Sequence, residues 1–202
     1  MKFKPEETAL VLIGFQNDYF STDGILHGVI ESTVTPKKIL PKTVKLVNHL
    51  KNLNVKVFHT PILFSSNYAE LPNPVGLMAK IKEVGAFKRN TFGGNTVPEI
   101  YQLQNTVKEL FGKTGFNAFN STELHSTLSA LKIKNIAFAG VVTSICIDSS
   151  ARAAFEYNYN TVIINDCIGG RNDFEDKYYC EEVFPLFATL FTAKDFVECI
   201  KD

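Results

Sequence analysis

The 202-residue sequence has no apolar run approaching the roughly 18 residues that a membrane-crossing helix needs, and no excess of either charge. Its 21 Lys and Arg residues balance 21 Asp and Glu, for a formal net charge of +0. A basic stripe or cationic tail is missing too, which argues against nucleic acid or a membrane surface as a partner. Monomers without net charge do not repel one another, so a homo-oligomer is the expected state. Cysteine is sparse: Cys146, Cys167, Cys180 and Cys199 show no Cys-x-x-Cys and no zinc-ribbon or finger spacing. They read as free thiols in a reducing compartment. The N-terminus Met1-Lys2-Phe3-Lys4-Pro5-Glu6-Glu7 is polar and acidic rather than signal-like, and the expected location is the cytoplasm. Gly93-Gly94 and Gly169-Gly170 lack a Gly-x-Gly-x-x-Gly or Walker pattern, so they read as turns and not as nucleotide loops. There are no repeats, low-complexity segments or linkers. The length suits one substantial core, and residues 1–202 are read as a single domain.

What is present is the composition of a globular protein, 45% hydrophobic and 21% charged. Thr8 to Phe15 is a short continuous apolar run, the mark of a strand buried on both faces. From Lys37 to Leu53 the apolar positions Leu40, Val44, Val47 and Leu50 fall at helical spacing, and Val55 to Leu63 reads as a second strand. Asn120-Ser121-Thr122-Glu123 has the pattern of a capping box, with Asn120 as the cap. Leu124, Leu128 and Leu131 would line one face of the helix that follows. Ile136 to Ala139 is the next buried strand, Ser144 to Tyr157 the next helix, Thr161 to Asn165 another strand, and Phe174 to Leu190 mostly helix. Ser65 to Phe111 is an irregular excursion with one helical pattern around Val75 to Val84, of the kind that forms a lid or an oligomer contact. Strands separated by helices predict parallel β-α-β units, and hence a three-layer α/β/α sandwich.

In such sheets ligands bind beyond the carboxyl ends of the strands. The informative end is Gly140-Val141-Val142-Thr143-Ser144-Ile145-Cys146, which places Cys146 in the first turn of a helix. Free N–H groups and the helix dipole there favour a thiolate and can stabilise an oxyanion. A buried structural thiol is the competing reading. Lys113 stands in the weakly polar segment Phe111 to Phe119, where a cation near a thiol would hold it ionised. Its competing reading is a surface lysine lying along apolar neighbours. Phe15, Phe64, Phe92 and Phe119 lie near strand ends or the excursion and are candidates to wall a small apolar pocket.

These residues carry a resemblance. The run from Ala9 to Phe20 containing Gln16-Asn17-Asp18, then Lys113 ahead of Ala118-Phe119, then Gly140 to Cys146, then Ala151-Arg152-x-Ala154-Phe155, resembles the isochorismatase-like cysteine hydrolases over about Thr8 to Phe196. The resemblance implies a mainly parallel six-stranded sheet with helices on both faces. It also implies hydrolysis of a small amide-like (C–N) substrate, with Cys146 as nucleophile and Lys113 orienting or polarising. The Val141–Val142 bond would be cis, and the N–H groups of Val142 and Cys146 would form the oxyanion hole.

One position departs from the pattern. The carboxylate that takes the thiol proton stands in the family where this chain has Gly14. Asp18, otherwise a structural acceptor, and His59, at the end of the second strand, are the candidates to replace it. The alternative is a catalytically impaired pseudoenzyme that binds a small carbonyl or carboxylate ligand. A redox-sensing thiol is a third reading, with no resolving cysteine nearby in sequence to support it. No cofactor is implied, and no metal: the segment after the second strand has His59 but no second histidine or carboxylate.

Overall fold

The two strands at the centre of the sheet, Thr8–Ile13 (β1) and Asn135–Val141 (β4), are buried at every position, as unbroken apolar runs covered on both faces must be. They pair in parallel from Thr8 with Asn135 to Ile13 with Gly140. The computed structural model describes residues 2–200, the side chain of Pro36 excepted. Outward from β1 lie Lys56–Thr60 (β2) and Val107–Glu109 (β3). Outward from β4 lie Asn160–Gly169 (β5) and Thr189–Phe191 (β6). The order is β3-β2-β1-β4-β5-β6, and every pairing is parallel. The expected three-layer sandwich on a six-stranded sheet is the observed one.

The layers follow from strand alternation. Leu10 and Leu12 face one way, against Ile39–Asn52 (α3) and Ala193–Ile200 (α9), in a core with Leu46, Val47, Leu50 and Phe196. Val11 and Ile13 face the other way, against Leu124–Ala130 (α6) and Asp148–Glu156 (α7), with Leu124, Leu128, Ile147 and Ala151.

Several local expectations are corrected. In α3 Leu40 and Val44 are only half-buried; the buried stripe is Ile39, Thr43, Leu46, Val47 and Leu50. Asn120 does not cap α6. Ser121 takes a positive φ of 60°, and Thr122 Oγ1 accepts the Leu124 N–H at 3.2 Å, so the chain enters the helix after the proposed box. Leu131, at the C-cap, is 41% exposed because the helix has ended there. The stretch from Phe174 begins as the helix Asp173–Tyr178, continues through short irregular turns and finishes as β6. The excursion holds helices Gly76–Val84 and Pro98–Tyr101 and also β3.

Gly140 is where the central pair is tightest. Its φ is +126°, and a Cβ there would stand 1.9 Å from the Ile13 carbonyl oxygen. Both the backbone angle and the contact exclude a side chain. Gly140→Ala is expected to cost about 3 kcal/mol or more, read as a fall in urea midpoint at unchanged m-value. A wild-type midpoint would contradict the packing described.

Candidate active site

After Gly140 the chain passes through a cis Val141–Val142 bond and a wide π-type turn, Thr143–Ile147, before α7 begins at Asp148. Cys146 therefore precedes the α-helix instead of lying in its first turn. The Val142 carbonyl accepts from both Ile145 N (3.0 Å) and Ile147 N (3.2 Å), which curls the turn around Cys146. The thiol is 6% exposed.

Lys113 comes to it from the loop after β3. Leu63 N–H donates to the Lys113 carbonyl at 3.2 Å, and Ser150 of α7 accepts the Ala118 N–H at 2.9 Å. The segment is thus tied at both ends. Lys113 Nζ lies 3.7 Å from Cys146 Sγ, and the residue is 1% exposed. Burial pulls the Lys113 pKa below its ordinary range, while the adjacent Cys146 sulfur works against that shift. The lysine is buried against the cysteine sulfur, not a surface lysine on an apolar wall.

Gly14 ends β1 with a φ of +75°. A Cβ there would stand 2.8 Å from both Val141 Cγ2 and the Val141 carbonyl oxygen, and 3.6 Å from Tyr19 Cδ2. The space that a side chain at position 14 would enter is occupied. The next residues form a clamp. Gln16 Nε2 donates to the carbonyls of Ile62 (2.9 Å) and Gly94 (2.8 Å), and its Oε1 accepts from Ile62 N (2.9 Å). Asn17 Nδ2 donates to Phe92 O at 2.8 Å. Asp18 accepts from Phe87 N at 2.6 Å with one oxygen and from Ile25 N at 3.3 Å with the other. Both oxygens of Asp18 hold backbone, so its carboxylate pins the excursion to the end of β1.

His59 is carried to the wrong face. Strand alternation puts Phe58 in the core with Cys146, and His59 on the opposite side. There its Nδ1 lies 3.1 Å from Glu109 Oε1, an oxygen that also accepts the Thr96 hydroxyl. His59 Nε2 is buried without a partner among the described residues.

Two carboxylates that sequence reasoning missed support the cysteine turn. Asp176 Oδ1 accepts the Thr143 hydroxyl at 2.5 Å, and its Oδ2 pairs with Lys37 Nζ at 2.5 Å. Glu175 Oε1 accepts the Ser144 N–H at 3.3 Å, and its Oε2 pairs with Arg171 Nε at 2.6 Å. Burial works to raise Glu175, but Ser144 and Arg171 hold it below the usual carboxylate range. The available signal was the acidic run directly after the β5 turn, which opens on the same sheet edge as β4.

A cleft of about 730 Å³ lies over this turn, lined by Ser144, Ile145 and Asp148 on one side and by Leu71, Val75, Met78 and Phe116 on the other. Of the aromatic candidates, Phe92 lines a different cavity, beside β3, while Phe15 and Phe64 are core. Among the described residues no three His, Cys, Asp or Glu side chains gather as a metal-binding group, and no helix is long and apolar enough to cross a membrane.

This strand-turn-helix on a parallel sheet has known counterparts. An isochorismatase domain model matches residues 8–195, and the chain belongs to that family, whose members are hydrolases. It is similar to the isochorismatase family protein YddQ of Bacillus subtilis, 28% identical over 171 residues that cover 84% of this chain and 82% of YddQ. It is also similar to the ureidoacrylate amidohydrolase RutB of Agrobacterium fabrum, 25% identical and covering 96% and 90% of the two chains. A cysteine hydrolase of Pseudomonas syringae pv. phaseolicola shares the fold, with a TM-score of 0.82 at 16% identity over 99% of this chain and 95% of that one.

Two outcomes check this geometry. Gly14→Asp is expected to lower the melting temperature and to give no gain in turnover, because the new Cβ meets backbone at Val141. Restored or enhanced turnover would refute the crowding. The Glu109 carboxyl is held below its ordinary 4.5, chiefly by His59, with burial opposing. Its contribution is therefore present above that value and lost as pH falls through the folded pKa. Glu109→Gln should cost about 1 kcal/mol at neutral pH, and the gap to wild type in urea melts should close on acidification below 4.5.

Proposed function

We propose that this protein is a cysteine hydrolase of small amide-like substrates, and the observation that carries this is the buried contact between Lys113 Nζ and Cys146 Sγ at 3.7 Å. An ammonium beside a thiol favours the thiolate, the nucleophilic form. Neither charge is stable alone at such burial, and each is the other's partner. In this reading the thiolate attacks the substrate carbonyl carbon and an S–C bond forms. The oxyanion is held by the N–H groups of Val142 and Cys146 on either side of the turn. The C–N bond then breaks, and water cleaves the resulting thioester. The kinship with an amidohydrolase and a cysteine hydrolase supports this choice of bond.

The other thiols make the test selective. Burial, aided by Asp166, pushes Cys167 up to about 12, and burial pushes Cys180 to about 11. At pH 7 their thiolate fractions are then only about one in 10⁵ and one in 10⁴. Iodoacetamide followed by peptide mass spectrometry should modify Cys146 well ahead of both, and Lys113→Met should slow that labelling about tenfold or more. Cys146 labelling no faster than Cys167 and Cys180, or unaffected by loss of Lys113, would sink the nucleophile assignment.

The second reading, a ligand-binding pseudoenzyme, is favoured by Gly14, which supplies no acid at the end of β1. It predicts the same labelling without turnover of any amide.

A further inference from the structure

The cleft over the cysteine turn has walls of a definite chemistry, and most of them are apolar. Leu71, Val75 and Met78 come from the excursion, Phe116 from the segment that carries Lys113, and Ile145 from the turn itself. Among the described residues that line the cleft, one side chain carries a charge, and that charge is negative: Asp148, two positions after Cys146. Its side chain is 16% exposed. No Lys, Arg or His of the described residues stands on these walls. The basic residues around the cleft are engaged. Arg152 Nε holds the two oxygens of Asp148 at 2.9 and 3.0 Å. Arg171 and Lys37 pair with Glu175 and Asp176, Lys82 donates to the Leu71 carbonyl at 3.0 Å, and Lys113 is buried against the sulfur. A carboxylate leaves water readily only for a cation or an array of donors. Here it would meet hydrocarbon and a like charge. An alkyl chain would instead cover apolar wall that water now wets, since Val75 is 81% exposed and Met78 and Ile145 are part-exposed.

Resting on the cysteine-hydrolase reading, we propose that this cleft selects uncharged amides with an apolar acyl chain and rejects amides whose acyl chain ends in a carboxylate. The carboxamide goes to the cysteine turn, and the acyl chain lies along Leu71, Val75 and Met78. Hydrolysis consumes one primary amide and one water and releases the carboxylate and ammonium. Asp148 is the discriminating residue, and it acts in two ways. It repels an approaching anion, and it occupies Arg152, a cation that an acidic substrate could otherwise use. Selectivity of this kind lies in one side chain and its partner, so a change at position 148 alters the choice between amides without altering the nucleophile.

The experiment uses two amides of matched shape, 4-methylpentanamide and succinamate, in which an isopropyl group and a carboxylate end the same chain. Selectivity is read twice: as Kd by calorimetric titration of Cys146→Ser, which removes the thiol nucleophile, and as kcat/KM for ammonia release by wild type. Both should favour 4-methylpentanamide by about 10²-fold. Asp148→Asn should improve succinamate about tenfold, and Val75→Lys, which adds a cation at an exposed wall position, should improve it several-fold. Succinamate bound as well as 4-methylpentanamide, or better, would overturn the proposal. So would a preference unchanged in both variants, or no binding of 4-methylpentanamide. Preferential binding of 4-methylpentanamide without any Cys146-dependent ammonia release would sustain the selectivity and refute the hydrolase reading instead.

Discussion

The site depends on how closely β1 and β4 run at their carboxyl ends. Two backbones can approach as Ile13 and Gly140 do only where one carries no side chain, since any Cβ at 140 would meet a carbonyl oxygen at 1.9 Å. That approach puts the end of β1 beside Val141, and so brings Gly14 and the cysteine turn into one small volume. The parallel sheet supplies the rest. Its right-handed crossovers return every strand in the same direction, so the loops after β1, β3, β4 and β5 all open on one edge. Residues separated by more than 100 positions, such as Gly14 and Val141, thereby become neighbours.

Around that volume the polar groups are buried and almost all committed. Asp176 and Glu175 each spend one oxygen on the cysteine turn and the other on a cation. A carboxylate with both oxygens engaged tolerates burial because the desolvation cost is offset by charge-assisted hydrogen bonds. The Lys113–Cys146 pair differs in kind. Either member can discharge by moving a proton, so losing one partner alters the reactivity of the other more than it alters the stability of the fold. The rigid pairs hold the turn, and in the proposed reading the Lys113–Cys146 pair is the one that does the chemistry.

Much of this was legible from the residues in order. Continuous apolar runs marked β1 and β4, and the Gly140-to-Cys146 segment announced a strand turning into a helix. Lys113 was singled out by its weakly polar segment and by the family resemblance, but its burial against sulfur is a tertiary fact. β3 and β6 span only Val107–Glu109 and Thr189–Phe191, too short to display alternation, and β6 is half-buried throughout. Asn120 had the right chemistry for a cap, but the left-handed turn at Ser121 moved the helix start beyond it. The left-handed turn at Gly14, with φ +75°, is a conformation that sequence pattern does not encode. The pair Glu175-Asp176 was hidden in the same way, since a loop acid is functional only once the edge it opens on is known.

The clamp formed by Gln16, Asn17 and Asp18 grips the excursion and the residues just before it by their main chain: the carbonyls of Ile62, Phe92 and Gly94 and the N–H groups of Ile62 and Phe87. Main-chain groups are common to every residue type, so the anchor reads the path of the loop and not its side chains. Exposed residues over the cleft such as Val75 can therefore change without touching this anchor, whereas Leu71, Ile81 and Phe87 of the same segment are fixed by the core. The loop's path and the surface it presents are thus set by different groups, the path by main-chain atoms and the surface by the few side chains left outside the core.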